Sequence, residues 1–192
     1  MKKINITIEI SARHIHLCQK DCDKLFGKNY QLKILKSLSQ GGEFASKEVL
    51  TIKTKKNQII GVRVLGPVRD YSQVEISKTD AYHLGLSPVS RESGDLQNTS
   101  GITLIGPMGE VKLKQGVILA YRHVHVSTLQ AKKYNLKHSQ LLKVKIGGDR
   151  ALLFDNVMVK VRDNYDWRMH IDTDEANAAG IDMINNLGEV QI

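Results

Sequence analysis

Arg13-His14-Ile15-His16 recurs as Arg122-His123-Val124-His125, and these eight residues use four of the chain's seven histidines. Along a strand, residues i and i+2 share a face, so each dyad aims two imidazoles the same way. Ile15 and Leu17, like Val124 and Val126, then face the opposite side and can enter a core. Imidazoles brought together in this way suit a shared divalent cation. A single dyad would be read as a hydrogen-bonded surface pair; its repetition moves the reading to metal binding.

A second correspondence lies downstream of each dyad. Gln73-Val74-Glu75-Ile76-Ser77-Lys78-Thr79-Asp80-Ala81-Tyr82-His83-Leu84-Gly85-Leu86 lays without gaps on Arg168-Met169-His170-Ile171-Asp172-Thr173-Asp174-Glu175-Ala176-Asn177-Ala178-Ala179-Gly180-Ile181. In this register Glu75 falls on His170, each between two apolar residues. Taken singly, Glu75 is a solvated carboxylate and His170 a satisfied histidine. As equivalent members of a repeat that also repeats the dyad, they read as ligands. The triplets are His14, His16 and Glu75, then His123, His125 and His170. Three protein ligands with a fourth position open is the arrangement of a catalytic zinc site. The first half is longer between dyad and third ligand, and the surplus is assigned to residues 27–47, which include Gly41-Gly42.

In 192 residues this duplication predicts two similar lobes. Alternating or β-branched runs predict strands at 4–10, 13–17, 48–54, 58–65, 73–77, 102–105, 109–114, 117–126, 142–147, 151–154, 157–162 and 168–172. Short helices are expected at 19–26, 78–84, 128–134 and 173–179, the last three behind the capping residues Ser77, Ser127 and Asp172. The fold class is therefore mainly β with short α caps. Two pseudo-symmetric small β-barrel lobes fit it better than an open α/β sheet.

The net charge of +8 favours polyanionic partners, nucleic acid or a phosphorylated cofactor. Aromatics make up only 5% of the chain, which argues against nucleic acid because stacking platforms are missing. Cys18 and Cys22 cannot build a disulfide framework and read as half-buried thiols of a reducing cytosol. No signal peptide or membrane-length apolar run is seen, and Met1 leads almost directly into a strand. Gly66-Pro67-Val68-Arg69 predicts a turn entering the strand of Glu75. Arg69 there is either an ordinary turn arginine or a guanidinium placed for bidentate capture of phosphate beside a metal pair. In the repeat register it aligns with Asn164, an asymmetry that suggests one substrate orientation.

Ser11-Ala12-Arg13-His14-Ile15-His16-Leu17, Val64-Leu65-Gly66-Pro67-Val68-Arg69, Gln73-Val74-Glu75-Ile76-Ser77, Arg122-His123-Val124-His125-Val126-Ser127 and His170-Ile171-Asp172-Thr173-Asp174-Glu175-Ala176-Asn177-Ala178 together resemble phosphotransacylases of the PduL type, also called phosphate propanoyltransferases. The resemblance runs from about residue 4 to residue 185. It implies two β-barrel lobes, the first strand packing with the C-terminal one: 13–26 and 48–115 as one lobe, 27–47 as a lid-like insertion, 3–12 and 116–192 as the other. It implies a dinuclear zinc centre on His14, His16 and Glu75 and on His123, His125 and His170, with Arg69 as the active-site arginine. Cobalt or manganese are alternative ions, since imidazole-rich sites accept several. Coenzyme A contacts would fall on Lys36, Arg63, Leu65 and Asn177. Cys18 departs from the family's serine at a helix cap.

The implied reaction converts a short-chain acyl-CoA and phosphate to acyl phosphate and CoA. Direct attack by phosphate is preferred, because no Ser or Cys with a partnered base is evident in the sequence. Partners are acyl-CoA and phosphate, with no nucleic acid and no membrane. A homodimer is compatible with the sequence. No N-terminal extension of the kind that directs some relatives into bacterial microcompartments is seen before the first strand, so a free bacterial cytoplasmic enzyme, or one linked to a microcompartment by another route, is expected. Two other readings use the same residues: a dinuclear zinc phosphoesterase, and a zinc-stabilised module that binds nucleic acid through its lysines.

Overall fold

The computed structural model describes residues 3–192; Met1 and Lys2, the expected lead into the first strand, lie outside the described residues. In chain order the elements are β1 (Lys3–Ile10), β2 (His14–Cys18), α1 (Gln19–Phe26), β3 (Ile34–Ser37), β4 (Phe44–Lys53), β5 (Gln58–Arg69), β6 (Gln73–Glu75), α2 (Lys78–Leu84), β7 (Ser90–Arg91), β8 (Ser100–Gly106), β9 (Gly109–Ala120), β10 (His123–Val126), α3 (Thr128–Tyr134), β11 (Leu141–Ile146), β12 (Leu152–Val161), β13 (Arg168–Ile171), α4 (Thr173–Ala179) and β14 (Leu187–Gln191). The chain divides into two compact units, Arg13–Ala120 and Tyr121–Ile192 together with the residues up to Ala12. No helix among the described residues is long and apolar enough to cross a membrane.

Each unit holds a closed barrel of six strands. In Arg13–Ala120 the strands β4, β5, β2, β6, β9 and β8 pair in that order, and β8 returns to β4. In the other unit the order is β11, β12, β10, β13, β1 and β14, and β14 returns to β11. The mainly β, two-barrel class expected from the sequence is the fold observed. Parallel and antiparallel pairings match strand for strand, so β1 is the counterpart of β9. Ile8 and Glu9 pair with Met169 and His170, while Val117 and Ile118 pair with Val74 and Glu75. Both strands also precede a dyad at the same spacing, Glu9 standing five positions before His14 and Ile118 five before His123, so the strand that leads into each dyad belongs to the other unit.

Dyad alternation works as its period requires. Ile15, Leu17, Val124 and Val126 are fully buried in the two barrel interiors, which are built mostly of Val, Ile and Leu. The four helices lie where the sequence puts them. Ser77, Ser127 and Asp172 each close a reciprocal capping box with the residue three positions on. Those helices end on left-handed Gly85, Asn135 and Gly180. At α1 the Cys18 side chain makes no cap bond, and Ser72 takes over. Its hydroxyl accepts from Cys18 N at 3.0 Å and donates to Asp21 Oδ2 at 2.7 Å.

Several boundaries differ from expectation, for local reasons. Residues 66–69 are not a turn but the end of β5, where Gly66 lies opposite Phe44; a Cβ on Gly66 would meet the Phe44 ring at 2.3 Å. The expected strand 117–126 breaks at Tyr121-Arg122, and its first part joins 109–114 through Gly116, whose φ is 131°. Residues 116–120 accordingly stay with the unit Arg13–Ala120, and the division falls at Tyr121 instead of 116. Runs 151–154 and 157–162 form one strand, β12, around Asn156 at φ 55°. The short strands β3, β7 and β14 carry too few alternating residues to be seen in the sequence. Within 27–47, β3 pairs with the start of β4 as a hairpin outside the closed ring.

Candidate metal centre

β2 runs between β5 and β6, with His14 opposite Arg63 and Glu75, and His16 opposite Leu65 and Gln73. One ligand atom from each of His14, His16 and Glu75 lies within 4.8 Å of the others. The two rings meet edge to face, 4.9 Å between centroids. His14 Nε2 and Glu75 Oε2 are 3.5 Å apart. That is close to the roughly 3.3 Å between two atoms bound at about 2 Å to one tetrahedral ion. His16 is 3% exposed, and its Nδ1 is buried without a hydrogen-bond partner. Burial first, then His14 and Arg69, hold its pKa well below the ordinary histidine value. It is therefore a neutral donor at pH 7, and a bound cation would account for a buried, unpartnered nitrogen. The residues present fit a divalent ion.

A partly buried network continues from Glu75. Gln73 Nε2 donates to Glu75 Oε1 at 2.6 Å and to Ser93 Oγ at 2.8 Å, and its own carbonyl accepts from Gly94 N at 2.8 Å. Ser93 Oγ also accepts from Arg69 Nη1 at 3.2 Å, and Arg69 Nη2 donates to Glu43 Oε1 at 3.0 Å. Arg69 is thus oriented from two sides, and a guanidinium's remaining N–H groups can serve an anion. Gln73, Ser93 and Glu43 did not stand out in the sequence. Only Gln73 carried a signal there, being two positions before Glu75 and so on the same strand face.

In the other unit His123 and His170 are register partners across β10 and β13, with His125 two positions along. Ring centroids are 4.7 Å apart for His123 and His125, 5.3 Å for His123 and His170, and 4.5 Å for His125 and His170. Among the described residues, convergence of three ligand atoms is met at the His14 group alone. His123 Nδ1 lies 2.8 Å from Tyr121 O. A carbonyl only accepts, so Nδ1 carries the proton and Nε2 keeps its lone pair for an ion. His125 stacks on Tyr165 at 4.0 Å. Burial, followed by His170, Lys160 and Arg162, lowers its pKa to about 2. His123 is likewise held well below its ordinary value, by burial and then Lys160 and His170.

The arginine ahead of each dyad has a structural task. Arg13 Nε donates to both oxygens of Asp80, at 2.8 and 2.9 Å, and Arg122 Nε lies 2.9 Å from Glu175 Oε1. Asp80 and Glu175 are also the capping-box acceptors of α2 and α4. Each brace therefore ties a dyad strand to the helix that follows the third ligand.

The expected CoA positions are spread over several elements. Lys36 is exposed on β3, Arg63 and Leu65 lie on β5, and Asn177 is exposed on α4 of the other unit. Arg63 Nη1 donates to the carbonyls of Ser46 at 3.1 Å and Lys47 at 2.9 Å. Cys22 is fully buried, and burial raises its thiol pKa to about 11, so it is no nucleophile at neutral pH.

A family model described as phosphate propanoyltransferase matches residues 7–182. The phosphate propanoyltransferase of Thermotoga maritima is 48% identical over 179 residues, covering 93% of this chain and 85% of the relative. That of Clostridioides difficile is 46% identical over 93% of this chain and 86% of its own length. That of Salmonella typhimurium is 44% identical, with 95% and 87% covered. Matches of this extent, on a two-barrel fold carrying duplicated histidine triplets, make the chain a member of the phosphate propanoyltransferase family and an acyltransferase enzyme.

Proposed function

We propose that the enzyme interconverts a short-chain acyl-CoA plus phosphate with acyl phosphate plus CoA. In this reading His14, His16 and Glu75 hold one divalent cation and His123, His125 and His170 another, with zinc first and cobalt or manganese as alternatives. The observation that carries it is the convergence of ligand atoms from His14, His16 and Glu75 within 4.8 Å, in a chain that repeats the dyad and its third position. When bound, the ions would neutralise phosphate charge and polarise the thioester oxygen. Arg69, held by Glu43 and Ser93, offers its free N–H groups to the phosphate and orients one oxygen at the thioester carbon. The new C–O bond forms as the C–S bond breaks, and the electron pair leaves on the CoA sulfur. Phosphate is itself the nucleophile, so no acyl-enzyme is required. Lys36, Arg63 and Asn177 supply polar and cationic partners for CoA, with Leu65 an apolar contact. The enzyme works in the bacterial cytosol on acyl-CoA and phosphate.

The test is thiol release from acyl-CoA esters of increasing chain length, with and without phosphate, alongside elemental analysis. Release that depends on phosphate, with two metal ions per chain, is expected. Release that proceeds equally without phosphate overturns the reading, and hydrolysis of simple phosphate esters would replace it with a phosphoesterase.

A further inference from the structure

Superimposing the two barrels by their strand pairings exposes a displaced carboxylate. On β6 the third position is Glu75, and its neighbour on β9 is Ile118. On β13 the third position is His170, and its neighbour on β1 is Glu9. Adjacent parallel strands put directly paired residues on one face, so Glu9 stands in the same row as His170 and His123. The carboxylate has moved one strand sideways.

Three further observations set Glu9 beside the second triplet, whose ligand atoms do not converge within 4.8 Å as those of the Glu75 group do. His170 Nε2 and Glu9 Oε2 are 3.6 Å apart, against 3.5 Å for His14 Nε2 and Glu75 Oε2. Both separations exceed a hydrogen bond and suit two atoms sharing one cation. Two residues before the third position, Gln73 donates to Glu75 at 2.6 Å, whereas Arg168 there reaches Glu9 Oε1 at 3.8 Å. The donor position is kept and follows the carboxylate. Finally, Lys160 lies opposite His125 where the other barrel has Leu65 opposite His16. A cation placed among three imidazoles and a lysine needs an anion beside it.

We propose that Glu9 is a fourth ligand of the ion held by His123, His125 and His170, delivering from the adjoining strand what Glu75 delivers in the other barrel. The inference rests on the reading that this triplet binds an ion. Glu9 would bring a negative charge to the second ion from the strand position that carries only Ile118 beside the first.

The experiment uses Glu9→Gln and Glu9→Ile in the full-length chain, the latter copying Ile118. Zinc stoichiometry and affinity are read by competition with a chromophoric chelator, and the visible spectrum of the Co2+-loaded protein reports coordination. A His16→Ala background isolates the second site. Both variants are expected to keep the apo-protein's thermal transition, weaken the second site tenfold or more, and change its Co2+ absorption. Affinity within twofold of wild type, with an unchanged spectrum in both variants, overturns the assignment while leaving two ions bound. A wild-type chain that binds one ion, retained by His123→Ala, overturns it together with the two-ion reading, and the two failures are told apart by stoichiometry.

Discussion

On β2, β5, β6 and β9, the dyad His14 and His16 is surrounded by Arg63, Leu65, Gln73, Glu75 and Ile118. On β10, β12, β13 and β1, the dyad His123 and His125 is surrounded by Arg168, His170, Lys160 and Glu9. Positions that set geometry are the same in both: dyad, brace arginine, capping carboxylate and buried Ile or Val between the histidines. Positions that set charge have diverged. One barrel sets Glu75 and Arg63 on either side of His14, and the other surrounds imidazoles with Lys160, Arg168 and Glu9. Duplication therefore preserved a frame that gathers histidines while letting the two clusters take different electrostatic surroundings.

The comparison breaks most sharply at the dyads. His16→Ala and His125→Ala should each remove one of two ions and lower phosphate-dependent thiol release about 10³-fold or more. Elemental analysis and single-turnover kinetics check this, and equal metal content in mutant and parent would remove the site from consideration. Arg69 has no counterpart, since Asn164 stands in its place. Arg69→Ala should cost about 10²-fold in kcat/KM for phosphate at unchanged metal content, with Arg69→Lys recovering only part of it. Gln73→Leu strips Glu75 of its donor and should weaken the first ion about 10-fold or more while sparing the second, measurable by chelator competition. The braces differ least. Arg13→Ala leaves the buried Asp80 unpaired and should cost about 2 kcal/mol, and Arg122→Ala, which loses one contact to Glu175, about 1 kcal/mol. Thermal unfolding of the apo-protein would read both, and a larger loss at Arg122 would reverse the ranking.

The repeat explains how much could be read in advance. Periodicity exposes Ile15 and Val124 as core residues, and Ser77, Ser127 and Asp172 announce their helices because capping is local chemistry. Glu75 could be picked out only because a gapless register put it on His170. Glu43 and Ser93 escape such reasoning, since they reach Arg69 from 26 and 24 residues away through folded loops. Glu9 looks like any outward residue of an alternating strand until β1 is seen beside β13, a pairing across most of the chain. The turn expected at Gly66-Pro67 failed for a related reason. A Gly-Pro pair ordinarily signals reversal, yet here the strand continues and the Phe44 ring packs against the glycine.

That β1 seats itself between β13 and β14 has a bearing on biosynthesis. The earliest of the strands to leave the ribosome must wait, its edge exposed, until the last ones have been translated, whereas the Arg13–Ala120 barrel has all its strands once β9 is made. Maturation is thus staged, and the His123 centre, with Glu9 on that waiting strand, is the later of the two to be completed.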